Sequence, residues 1–205
     1  MLMRLDTIGA AAIESLAPSF NNLPETDHLD GKYRLRRYSA VSCNGNCVEV
    51  GDNTFQQSSE YNKFQGDMSR KFEPIEKEVI ESVAMLEICS IFTHFCGFPD
   101  NHKVDVHQMR VITLDEETPV SPEGVHQDGY DYIAVVGISR YNIEGGNFLS
   151  YMKKDDEEPI MSLPLNPGLM IIVDDRVLWH NASKIKPVIG SEGYLDSFIL
   201  TAKMF

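Results

Sequence analysis

The rhythm of apolar and polar positions changes near residue 100. Before it, the clearest pattern has a helical period. Ile75, Val79, Val83, Leu86, Phe92 and Phe95 recur close to every 3.6 residues. Glutamates crowd the first turns of this stretch, where the helix dipole favours negative charge. Gly97, with Pro99 behind it, supplies a stop. The spacing predicts one helix over 74–97, with Cys89 and Cys96 in its core face and His94 at the surface. After residue 100 the apolar segments shorten and alternate. Segments 104–114, 130–142, 146–152, 161–165, 169–175, 177–183 and 197–205 read as strands separated by turn residues. Such a run predicts a sandwich or barrel, with the helix packed outside one sheet. Residues 168–180 read as a hairpin turning on Asp174 and Asp175. Residues 34–50 read as two short strands around an Asn-Gly-Asn turn, 54–72 as irregular, and 1–20 as a short helix packed on the domain.

The length of 205 residues suits a single domain spanning 1–205, with a sizeable core. A net charge of −13 repels phosphate backbones and anionic bilayers, which argues against nucleic-acid and membrane partners. It still allows a small anionic ligand, because a few local cations override the global field. No apolar run approaches the ~20 residues of a membrane span, and no secretory segment is visible, so a cytoplasmic location is expected. In that setting the four cysteines are expected to be free thiols, and they lack the paired spacing of a zinc site. Arg34, Arg36 and Arg37 form a basic cluster that reads equally well as a solvated strand edge or as a ligand contact. A homo-oligomer is compatible with the sequence, which does not fix the state.

The candidate chemistry begins at the head of segment 130–142. His126 and Asp128 stand two apart, and on a strand such residues face the same side. Buried there, they need a partner: water, a hydrogen-bonding network or a metal ion. His180, on a later predicted strand, could complete a set of two imidazoles and one carboxylate. That set suits non-haem Fe(II) oxygen chemistry, leaving positions open for a co-substrate and O2. His-x-Asp alone is weak, and a hydrogen-bonded strand pair is the plain alternative.

The sequence resembles the bacterial 2-oxoglutarate/Fe(II) dioxygenases that hydroxylate free amino acids, the isoleucine 4-hydroxylase group. The resemblance runs from about residue 32 to the end, through segments 32–41, 60–75, 106–111, 122–135, 139–151 and 171–180; PEGVHQDGYDY and VDDRVLWH are its most specific parts. It implies a mainly β fold with flanking α, a double-stranded β-helix (jelly roll, cupin-like) with an N-terminal helical segment. It implies His126, Asp128 and His180 as the Fe(II) ligands, with 2-oxoglutarate as co-substrate and O2 as oxidant. The expected reaction hydroxylates an unactivated C–H of a free amino acid or small amino-acid derivative, with release of CO2 and succinate. Arg110, Glu123, Tyr130 and Tyr132 are the expected substrate contacts. The pattern's usual arginine for the far co-substrate carboxylate falls at Leu195 here. Arg140, Lys184 and Lys203 are the candidate replacement cations, and Ser197 shares the face of Leu195. The departure leaves room for a 2-oxoglutarate-independent iron oxidase or a non-catalytic jelly-roll binding module.

Overall fold

Among the described residues, fourteen strands and a small helical layer build the fold. The computed structural model describes residues 2–61, 66–113 and 117–204. Leu114, residues 62–65 of the family-like segment 60–75, and Phe205 lie outside the described residues. The strands are β1 (Met3–Thr7), β2 (Arg34–Cys43), β3 (Cys47–Glu49), β4 (Thr54–Phe55), β5 (Arg70–Lys71), β6 (Lys103–Ile112), β7 (Tyr132–Tyr141), β8 (Ile143–Gly145), β9 (Asn147–Tyr151), β10 (Met161–Pro164), β11 (Leu169–Asp174), β12 (Trp179–Ala182), β13 (Ile185–Pro187) and β14 (Tyr194–Ala202). The helices are α1 (Ala10–Leu16), α2 (Lys77–Ile80) and α3 (Val83–Cys96), with a 3-10 turn over Ala17–Asn22.

Seven strands form one antiparallel sheet in the order β1-β11-β7-β14-β6-β2-β3, and β10-β9-β12 form a smaller one. An isolated bridge between His126 and His180 adds the start of a fourth strand to the small sheet. The mostly β chain is a jelly roll, with the two sheets sharing one interior. Alternation along the strands sorts the large sheet into two faces. One face buries Val104, Val106, Val136, Ile172, Phe198 and Leu200 against Met85, Ile88, Cys89 and Phe92 of α3. The other face, carrying His107, Met109, Val135, Ser197 and Ile199, looks into the roll.

Four expectations need correction. The predicted helix over 74–97 is two helices. Ser82 takes an extended conformation and its hydroxyl accepts the Met85 N–H at 3.1 Å, so α3 starts afresh with a new phase. Val83, counted on the apolar face, is therefore 82% exposed. The stop at Gly97 is observed, in the left-handed conformation at φ 70°. Within the predicted N-terminal helix, Met3–Thr7 is a strand instead, paired along its length with β11, and only the stretch from Ala10 is helical. Pairing covers the edge that β11 would otherwise expose. Segment 168–180 is no hairpin, since β11 pairs with β1 and β7 while β12 pairs with β9. Residues 174–178 instead carry the chain from the large sheet to the small one. Cys43 and Cys47 are joined by a disulfide across the β2–β3 hairpin rather than being free, while Cys89 and Cys96 are free and buried. Among the described residues, no helix is long and apolar enough to cross a membrane.

Candidate metal centre and cavity

His126 and His180 meet through their backbones. Each amide donates to the other's carbonyl at 2.9 Å, which sets the two imidazoles side by side with centroids 4.3 Å apart. Asp128 follows by two residues, and Gly129 then turns the chain at φ 79°. Asp175 holds that turn: its Oδ2 accepts the amides of Asp128, Gly129 and Tyr130 at 2.9, 2.9 and 3.2 Å. Gln57 donates to the Asp128 carbonyl and to its Oδ1 at 2.9 and 3.0 Å. Backbone and neighbouring side chains thus fix the carboxylate before any ligand arrives.

The ring nitrogens are ordered as well. His126 Nδ1 lies 2.8 Å from the Gly124 carbonyl, which can only accept, so Nδ1 carries a hydrogen. His180 Nδ1 faces Asp175 Oδ1 at 3.5 Å. Both Nε2 atoms are left to face Asp128, at 3.6 Å for His126 and 3.4 Å for His180. The three donor atoms lie within 4.8 Å of one another, and the group could hold a metal ion. Burial opposes charge on His126, but the Asp128 carboxylate outweighs it and lifts the imidazole to about 9. Burial would raise Asp128 too, yet the two histidines hold it well below the usual carboxylate range. A place that draws a proton this strongly also suits a divalent cation. Two nitrogens and one oxygen are a donor set that fits Fe(II), with His126 and Asp128 held by hydrogen bonds and His180 facing Asp175 without one.

The donors open into a cavity of about 130 Å3 between the sheets. Apolar residues such as Ile133, Phe148 and Leu165 line one part. A basic wall lines another. Arg34 pairs with Asp30 at 2.6 Å and Glu123 at 3.4 Å, and Arg36 pairs with Asp30 at 2.7 Å. Arg70 lies over the Phe55 ring at 5.1 Å. Burial and the nearby Arg34 press the Arg36 guanidinium down to about 9, against the pull of Asp30. Burial first, then Arg36 and Arg70, hold His107 well below its ordinary value, so it is neutral at pH 7. His107 Nδ1 and Arg36 Nε are buried without hydrogen-bond partners.

Of the expected contacts, Glu123, Tyr130 and Ser197 line this cavity. Tyr132 does not: β7 begins there with Ile133 and Val135 facing inward, so Tyr132 turns to the opposite face, where its ring meets Phe98 and Arg176. Arg110 lies on the opposite face of the sheet, bonded to Asp196 at 2.6 and 2.8 Å. Lys184 pairs with Glu117 on the surface, and Lys203 sits past the end of β14, above the Tyr130 ring. Arg140 stands beside the cavity at Gly146. Sequence reasoning missed Gln57, Arg70, His107 and Asp175. The arginine, glutamine and histidine come from irregular or apolar-looking segments, and Asp175 read as a turn residue.

The sequence model of the 2OG-Fe dioxygenase family matches residues 17–201. No curated protein matches. Among solved structures, a BsmA homolog from Methylobium petroleophilum aligns with TM-score 0.79 and 25% identity, over 96% of this chain and 82% of that one. IDO from Bacillus thuringiensis aligns with TM-score 0.76 and 17% identity, over 93% and 85%. The Fe(II)/α-ketoglutarate-dependent dioxygenase TqaL aligns with TM-score 0.67 and 15% identity, over 95% and 75%. The last two are alike in fold. With a family match across nearly the whole chain and a donor set that fits the metal, the protein belongs to the 2OG-Fe dioxygenase family, enzymes that use Fe(II), 2-oxoglutarate and O2.

Proposed function

We propose that the protein oxidises an unactivated C–H bond of a free amino acid or small amino-acid derivative, with His126, Asp128 and His180 as the iron ligands. The observation that carries this reading is the pairing, in one cavity, of a cation-rich wall with a buried acid. Arg36 and Arg70 supply positive charge for a substrate carboxylate. Glu123, which burial would raise but Arg34 holds below its ordinary value, stays ionised and can accept from an ammonium group. The two charges at fixed places would set one face of the substrate toward the metal position.

Bound Fe(II), with 2-oxoglutarate and O2, supplies an oxidant strong enough for an unactivated C–H bond, leaving succinate and CO2. The chain's own residues orient and shield. The Gly124 carbonyl keeps the His126 imidazole turned to present Nε2, and the His126–His180 backbone pairing sets His180 beside it. Phe148 stacks parallel to His180 at 6.0 Å and, with Ile133, excludes water from that side. Neutral His107 offers a nitrogen to the substrate's polar end without adding charge.

The test is succinate formation with iron-loaded protein and a panel of free amino acids, their N-acylated forms and their α-hydroxy analogues. Free amino acids should stimulate succinate release and gain one oxygen by mass. Stimulation by the N-acylated or hydroxy analogues, with none by any free amino acid, would refute the substrate class.

A further inference from the structure

We infer that Arg140 is the cation that holds the distal carboxylate of the co-substrate. The cavity runs from the metal donors along the inward face of β14, past Thr201, Ile199 and Ser197, and reaches Leu195. A co-substrate chelated at one end must place its second carboxylate toward that far end. Leu195 is 2% exposed and apolar, and it cannot balance a buried charge. Arg140 is its direct cross-strand partner in the β7–β14 pairing, so the two side chains leave the sheet on the same face. They converge at Gly146, which lines the cavity. A Cβ added at 146 would meet Leu195 Cδ2 at 3.1 Å and Arg140 Nη1 at 3.2 Å. Arg140 does not itself line the cavity; its guanidinium lies directly behind Gly146, where the missing side chain leaves only backbone between it and the space.

Arg140 has capacity to spare. It donates to the carbonyls of Gly145 at 2.6 Å and Gly146 at 3.3 Å, two of a guanidinium's five N–H groups. Among the described residues, no carboxylate forms an ion pair with it, in a chain of net charge −13. Arg110, Lys184 and Arg176 each already have an acid, at Asp196, Glu117 and Asp174. Arg34 and Arg36 stand level with Leu195 and Ser197 but two strands away on β2, where they share Asp30. The arginine that the family places on the last strand is thus supplied here by the neighbouring strand at the same level, with Ser197 one inward position nearer the metal.

The test compares two ligands that differ only at the distal carboxylate. Anaerobic Fe(II)-loaded protein is titrated with 2-oxoglutarate and with 2-oxopentanoate, reading the visible band that appears when a 2-oxo acid chelates iron. No amino-acid substrate is present, so the result is independent of the substrate class proposed above. The native protein should prefer 2-oxoglutarate by roughly 10- to 100-fold, the range of a charge-assisted pair. Arg140→Gln should bring the ratio near one while leaving 2-oxopentanoate affinity unchanged. Adding Leu195→Arg to Arg140→Gln should restore the preference. An unchanged ratio in Arg140→Gln overturns the assignment. So does an equal loss for both ligands, which would mark a structural role, and so does a collapse of the ratio in Arg36→Gln instead.

Discussion

Metal affinity should climb steeply with pH, because binding must expel a proton. In the metal-free protein His126 is protonated at both nitrogens, with Nδ1 bonded to Gly124 and Nε2 facing Asp128. Its imidazole is lifted from 6.5 to about 9. At pH 7 only about one molecule in a hundred then presents a free Nε2 lone pair. Mn(II), a stand-in less prone to oxidation than Fe(II), should bind roughly tenfold tighter at about pH 8 than at about pH 7, and level off above about pH 9. The same proton acts on folding. The folded value lies above the unfolded one, so the stabilisation is complete below about pH 6.5 and lost as pH rises through about 9, some 3 kcal/mol in all. Thermal unfolding of the metal-free protein should fall across that window, and saturating Mn(II) should flatten it. Chelator competition gives the affinities, and a weakly buffered indicator dye counts released protons. An affinity flat between about pH 7 and about pH 9, with no proton release, would refute the reasoning.

Three other changes have clear directions. Asp175→Ala strips the acceptor from the three amides that hold the His-x-Asp turn; it should weaken Mn(II) binding by roughly 10- to 100-fold, and binding within threefold of native would contradict the positioning role. Arg36→Met keeps bulk but removes a cavity cation, so substrate KM should rise at least about tenfold while 2-oxoglutarate affinity stays within about twofold. Phe92→Ala empties a fully buried site between α3 and the large sheet and should cost about 3–5 kcal/mol by denaturant unfolding, with the Mn(II) affinity of the folded fraction unaltered.

The strand-rich second half and the His-Asp-His set were legible because each leaves a local trace: period-two alternation in one case, an i,i+2 pair in the other. Gly97 was legible as a helix stop for the same reason. What stayed hidden depends on neighbours far along the chain. Met3–Thr7 became a strand because β11 needed an edge partner, which no window on residues 1–20 contains. Asp174 and Asp175 look alike in sequence, yet Asp174 pairs with Arg176 while Asp175 is buried beneath the His-x-Asp turn. Tyr132 was assigned to the pocket by a parity counted from Asp128, but the chain between Tyr130 and Ile133 breaks that count and leaves Ile133 and Val135 on the inward face. Arg70 and Gln57 come from a stretch whose sequence shows no period at all, and only the fold sets them opposite the metal donors.

The bridge between His126 and His180 ties the centre to the dynamics of the small sheet. On that side the sheet ends in a pair of reciprocal hydrogen bonds rather than a full ladder, so the edge has little backbone pairing to resist opening. A metal bound by both side chains would act as a clasp across those two bonds. Amide hydrogen exchange at positions 126 and 180 would then slow together on loading, and the strand edge would become a reporter of metal occupancy that needs no turnover to be read.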